Sequence, residues 1–239
     1  MLLSISNLLS SHNPLDYRLI CPLGAPYTLS QSQSHITLGP LGRRISFYNA
    51  HPTNYLSTLP ASTPKYDYVV LSHCIWYFAS PSQLSTMVAA IAPWTKNLCL
   101  AEWSLRASKP QAQPHVLTAL LLASLEARRK EEGGGNIRTV LSPAQIRSVT
   151  ESSSAFKLSA QETRPTNEGL LDAYWEVSDT LRKREKVLQT LGAEGVPEKE
   201  LAAMVAMHDA IQAAVEVLDG GESGVRSMDV WVAKFRVVA

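Results

Sequence analysis

Proton chemistry near neutral pH needs a histidine or a displaced carboxyl. The chain offers His73, Glu102 and His115 at the edges of apolar segments. The segment YDYVVLSHCIWYF, residues 66 to 78, stops at Ser72 and His73 and resumes with Trp76 and Tyr77. A second apolar run, NLCLAEWSL at 97 to 105, carries Glu102, and His115 follows near the start of the next helical pattern. If the two runs are adjacent parallel strands, His73 and Glu102 come together at one sheet edge and can pass a proton between them. A purely structural reading stands beside this one: His73 caps the next helix, and Glu102 pairs with Arg106 or Arg138. Trp76 and Tyr77 read as walls of a pocket for a flat apolar substrate, and Trp103 reads as core. Ser72 lacks the G-x-S-x-G surroundings of a nucleophile elbow, which argues against hydrolase chemistry.

The elements that must position these residues follow from periodicity. Leu2, Ile5, Leu8 and Leu9 sit at helical spacing, predicting a short helix over 2 to 9. YRLIC (17–21) and RISFYN (44–49) read as strands, and the unbroken Val69, Val70 and Leu71 mark 66 to 74 as a buried one. Ser80-Pro81 with Gln83, and Ser142-Pro143 with Gln145, are helix starts with a serine cap. Helices follow to about 92, over 114–130, and from 143; strands are expected at 97–105, 156–163 and 227–235. Helices near 176–190 and 198–218 precede the last strand. Met204, Met207, Ile211, Val215 and Leu218 form an apolar stripe in the second of these, with His208 read as a surface histidine beside it. This alternation predicts one three-layer α/β domain with a helical segment at about 170–218, and ligands beyond the carboxyl ends of the strands.

Composition removes several function classes. A chain of 239 residues with 45% hydrophobic and 18% charged residues can close a core. A net charge of +1 gives no field to attract nucleic acid or an anionic membrane. Cys21, Cys74 and Cys99 lie far apart without metal-ligand spacing, so reduced thiols are expected and no metal site is. The first residues lack the basic start of a signal peptide, and no run reaches the roughly 20 apolar residues of a membrane span. The expectation is a cytoplasmic protein acting on a small molecule. GGGN at 133–136 follows a helix and lacks the Lys-Ser/Thr of a phosphate loop, so it reads as a linker.

In order along the chain, GAPYTLSQSQSHI, YDYVVLSHCIWYFASP, LAEWSLRA, PHVLTALLLASLEARR, NIRTVLSPAQI, EGLLDAYWEV and RSMDVWVAKF resemble segments of class I S-adenosylmethionine-dependent methyltransferases, in particular a fungal methyltransferase-like group. The resemblance implies a Rossmann-like sheet of seven strands with S-adenosylmethionine across the ends of the first three. It adds Tyr27, Asp172 and Trp175 to the substrate side, with His73, Glu102 and His115 as catalytic candidates. The family holds its cofactor with a glycine-rich turn after the first strand and with acids ending the second and third. Here Cys21 stands in the second-strand place and His51 in the third, and a helix at the N-terminus puts the first strand and its turn upstream of Met1. The cofactor site therefore reads as degenerate. The lost strand leaves three accounts open: the strand of 66–74 pairs directly with that of 17–21, a second chain fills the gap, as in a homodimer, or the sequence is a truncated gene product.

Three functions fit these residues. The first is an enzyme of methyltransferase ancestry that moves a proton on a small organic molecule, as in a cyclisation or isomerisation, with no cofactor. The second is a conventional methyltransferase whose S-adenosylmethionine site is completed outside this chain. The third is a noncatalytic binding or scaffold protein using the helices of 176–218.

Overall fold

The computed structural model describes residues 2–5, 28–40, 42–129 and 137–238. The strands are β1 (Leu2–Ile5), β2 (Tyr68–Ser72), β3 (Asn97–Trp103), β4 (Phe156–Arg164) and β5 (Val230–Val237). The helices are α1 (Leu29–Leu38), α2 (Pro52–Ser57), α3 (Pro81–Ile91), α4 (Gln113–Glu126), α5 (Pro143–Ser152), α6 (Asp172–Ala193) and α7 (Glu198–Glu216). The mixed α/β architecture is as the alternation of patterns predicts. The helix starts are too: Ser80 and Ser142 accept the N–H groups of Gln83 and Gln145, and the Gln145 side chain reaches back to the Ser142 N–H. Each cap satisfies donors that the first helical turn leaves free.

The sheet runs β1-β2-β3-β5-β4, with β1, β2 and β3 parallel and β5 antiparallel to both its neighbours. Its first strand corrects the sequence reading. Leu2–Ile5 is not helical but pairs in parallel with Tyr68–Leu71, at the edge of β2 that was expected to stand open. Four residues of LLSI fit a period of two as well as a helical one, and the unpaired N–H and C=O groups of β2 decide the matter. Residues 45–49 form no strand; a 3-10 turn at Gly42–Arg44 precedes them, and alternation without a partner ladder does not hold a strand. The strand read at 17–21 and the linker at 133–136 lie outside the described residues.

One face of the sheet is dry. Val69 and Leu71 of β2 stand in register with Leu98 and Leu100 of β3, which face Phe235 and Ala233 of β5, and all are buried. Leu56 of α2, Leu84, Met87, Val88 and Ile91 of α3, and Ile146 of α5 join them in one cluster. Each such side chain is worth about 2 kcal/mol on leaving water. The alternation carries Glu102 onto this same buried face, opposite Trp231.

A second cluster joins α4, α6 and α7 through Leu121, Val177, Met204, Ile211 and Val215. It adjoins the carboxyl edge of the parallel strands, because α4 follows β3 and packs Val116 and Ala119, with Ala112 just before it, against Trp76 and Met228. His208 corrects the sequence reading: it is fully buried, and its Nδ1–H donates to the Met204 carbonyl at 2.9 Å. Positions 204, 208, 211 and 215 share one helical stripe, so the histidine lies in the apolar face rather than beside it. Among the described residues, no helix is long and apolar enough to cross a membrane.

Candidate functional site

Where β2 ends, the chain bends sharply. The His73 N–H continues the ladder to the Ala101 carbonyl at 2.8 Å, and the residue takes φ = +47°, a left-handed conformation costing a non-glycine residue about 1 kcal/mol or more. The 3-10 turn Ile75–Tyr77 follows directly. This bend sets the His73 imidazole beside the end of β3, its ring centre 4.4 Å from that of Trp103. His73 is not a helix cap, since Ser80 caps α3.

Glu102 is 1% exposed. Its Oε2 accepts the Ile75 N–H at 2.8 Å and its Oε1 accepts the Trp103 N–H at 3.0 Å. Burial pushes this carboxyl up to about 7, against the pull of backbone N–H groups that favour the ionised form. His73 Nδ1 lies 3.7 Å from Glu102 Oε1, beyond hydrogen-bond reach, and has no partner among the described residues. Burial lowers the His73 pKa, the Asp172 charge raising it and His115 lowering it further. The two groups therefore face each other without forming an ion pair at neutral pH: a mostly neutral imidazole beside a carboxyl near its midpoint. Arg106 pairs with Asp229 at 3.7 Å, which removes the Glu102–Arg106 alternative.

His115, in the first turn of α4, is 0% exposed. Its Nδ1 accepts the Met228 N–H at 3.0 Å, and its Nε2 lies 3.2 Å from Glu176 Oε2. Its ring stands edge-on to Trp103, centres 5.1 Å apart. Tyr77 adjoins the same group: burial, then the charges of Glu176, Glu102 and Asp172, push its hydroxyl up to about 12. His73 thus faces Glu102, and Trp103 stands between the His73 and His115 rings. Ser72 closes β2, half-buried and in register with Ala101.

Other assignments change. Trp76 is core, not pocket wall: it is 3% exposed, and its Nε1–H donates to the Leu141 carbonyl at 3.2 Å. Trp103, read as core, is half-buried between the two histidine rings. Strand alternation turns it to the face opposite Glu102, whereas the turn after His73 rotates Trp76 inward. Trp175 is exposed on α6, one position before Glu176. Glu176 itself was missed, although Asp172 and Glu176 are spaced i, i+4, which places two carboxylates on one helical face. Tyr27 and Cys21 lie outside the described residues.

Of the two places Cys21 and His51 that the resemblance gives to S-adenosylmethionine, only His51 lies among the described residues. The sequence from Ser6 to Leu23 contains no glycine and lies outside them. His51, which the resemblance set in the acid place after the third strand, follows no strand: it is an exposed residue preceding α2 with its Nδ1 2.7 Å from Thr53 Oγ1. Among the described residues, no group of three or more His, Cys, Asp or Glu side chains could hold a metal ion.

No protein-family model matches the chain. Two curated proteins of Diaporthe leptostromiformis, methyltransferase phomM' and methyltransferase phomM, are each 26% identical to it, over 241 and 244 residues. The match covers 88% of this chain and 62% of each relative, so the chain spans less than two thirds of the length of these curated relatives. The crystal structure of a cyclopropane-fatty-acyl-phospholipid synthase-like protein from Lactobacillus casei shares the fold, with a TM-score of 0.65 at 24% identity over 89% of this chain and 70% of that one. The chain thus shares the fold of that structure and is similar in sequence to two curated methyltransferases.

Proposed function

We propose that this protein is a methyltransferase-fold enzyme that moves a proton on a small organic molecule, with Glu102 and His73 as the exchanging pair. The observation that carries this is a nearly fully buried carboxyl 3.7 Å from an imidazole nitrogen that has no hydrogen-bond partner among the described residues. A proton added to either group lies within a small movement of the other, and a general acid and base work best with pKa values near the operating pH. Burial supplies the matching: it raises the acid and lowers the imidazole. Trp103 orients His73, and Tyr77 stays protonated as a hydrogen-bond donor. The glycine-free sequence from Ser6 to Leu23 supports chemistry that does not depend on the family's cofactor.

A second reading is favoured by a separate observation. The curated relatives are named methyltransferases, and the chain matches only 62% of their length. In this reading the protein transfers a methyl group from S-adenosylmethionine held partly by segments outside this chain, and the same pair removes the proton of the acceptor.

The test incubates purified wild type and Glu102→Gln with a fungal small-molecule extract, with and without S-adenosylmethionine, and compares products by mass spectrometry. An isomeric product made by wild type without the cofactor supports the first reading. A product heavier by one CH2, made only with the cofactor, supports the second. Identical profiles for wild type and Glu102→Gln in both conditions overturn the assignment of the pair.

A further inference from the structure

We infer that Glu176 is the catalytic residue that takes a proton directly from the bound substrate, and that His115 is the positioning residue that aims it. This rests on the proposed reading of the site as one that acts on a small organic molecule.

The argument starts from His115. The ring is fully buried, and the Met228 N–H occupies the Nδ1 lone pair, so the ring proton sits on Nε2 and points at Glu176 Oε2. Both nitrogens are used, and neither reaches solvent. His115 can hold a neighbour in place but cannot collect a proton from a ligand. Glu176 differs on both counts. Its side chain is 25% exposed, and only one of its oxygens is engaged: Oε1 has no hydrogen-bond partner among the described residues. With Oε2 fixed by His115, the free oxygen is held in one orientation, which is the arrangement in which a second group orients a base.

The surroundings define what it would act on. Tyr77, Glu102 and Asp172 share the site, and the charges of Glu176 and its neighbours are felt at Tyr77 and Glu102. An anionic substrate would meet three carboxyl groups, so the fitting class is neutral and weakly acidic: a hydroxyl or an activated C–H. Leu171, just before α6, and Trp175 in its first turn expose apolar surface suited to an apolar body attached to that group. In the step, the substrate O–H or C–H bond breaks, its electron pair stays on the substrate atom, and an O–H bond forms at Glu176 Oε1.

The test uses the full chain as wild type, Glu176→Gln and Glu176→Asp. First, carboxyl groups of the folded protein are labelled with a water-soluble carbodiimide and glycinamide, then mapped by mass spectrometry. Labelling of Glu176 with Glu102 untouched is expected; a Glu176 that is labelled only after unfolding overturns the inference. Second, formation of the product found in the extract comparison is followed at saturating and limiting substrate. Glu176→Gln is expected to lower kcat by about 10²–10⁴-fold with KM little changed. Glu176→Asp, which withdraws the carboxylate by one CH2, is expected to recover part of that loss. Wild-type kcat in Glu176→Gln, or a raised KM with kcat unchanged, overturns the role. If wild type forms no product at all, the reading of the site fails instead, and the labelling still decides whether Glu176 is the open oxygen.

Discussion

Replacing Glu102 by glutamine turns the buried carboxyl into a measurable pH dependence of stability. The carboxyl has an ordinary value of 4.5 and is pushed up to about 7 in the folded protein. A folded state that binds its proton more tightly is stabilised where the proton is bound. The contribution is fully present below about 4.5 and is lost as pH rises through about 7. A tenfold change in proton affinity is worth about 1.4 kcal/mol, so the loss is on the order of 3 kcal/mol. For a chain of this size that corresponds to about 6–12 °C in Tm. Glutamine is neutral at every pH, and its mismatch with the Trp103 N–H is a constant offset. His73 acts in the opposite sense below its ordinary 6.5, but it is present in both proteins. Differential scanning calorimetry of both proteins at pH 5 and pH 8 is the assay. Because part of the contribution is already lost at pH 5, the Tm of Glu102→Gln minus that of wild type should rise by about 5–10 °C from pH 5 to pH 8. An equal difference at the two pH values would refute the reasoning that burial governs this carboxyl.

Other substitutions separate structural from chemical roles. His73→Gly relieves the left-handed backbone cost of about 1 kcal/mol, so Tm should hold or rise slightly while turnover falls by at least about 10²-fold; melting and product assays on one preparation check both. Trp76→Ala removes a core side chain and its bond to Leu141, and should cost about 3–5 kcal/mol in denaturant unfolding. A mild effect there would return Trp76 to the pocket. His208→Leu replaces a ring whose buried Nε2 has no described partner, so stability should change by less than about 1 kcal/mol or increase. A loss above that range would show that Nε2 is satisfied in solution.

The parts of this fold legible in the sequence are those in which local chemistry and global packing agree. Ser142, Pro143 and Gln145 specify a helix start by themselves, and the alternating pattern of 97 to 103 delivers Glu102 to the buried face without further information. The grouping of His73, Glu102 and His115 was legible because strand ends and helix starts gather at one sheet edge. What the sequence hid depends on partners distant in the chain. Leu2–Ile5 is a strand because β2 offers an unpaired edge more than 60 positions away. The exchange of roles between Trp76 and Trp103 depends on a single positive φ at His73 that no residue type announces. Glu176 is visible only as a carboxylate one turn after Asp172 until α4 brings His115 against it.

The central claim is that Glu102 is a proton-exchanging carboxyl rather than a permanently charged structural acceptor. The direct measurement is a carbon-13 NMR titration of the full chain labelled at glutamate carboxyl carbons, with Glu102→Gln identifying the resonance. A midpoint near 7 is the predicted result, and a midpoint near 4.5 would contradict the account.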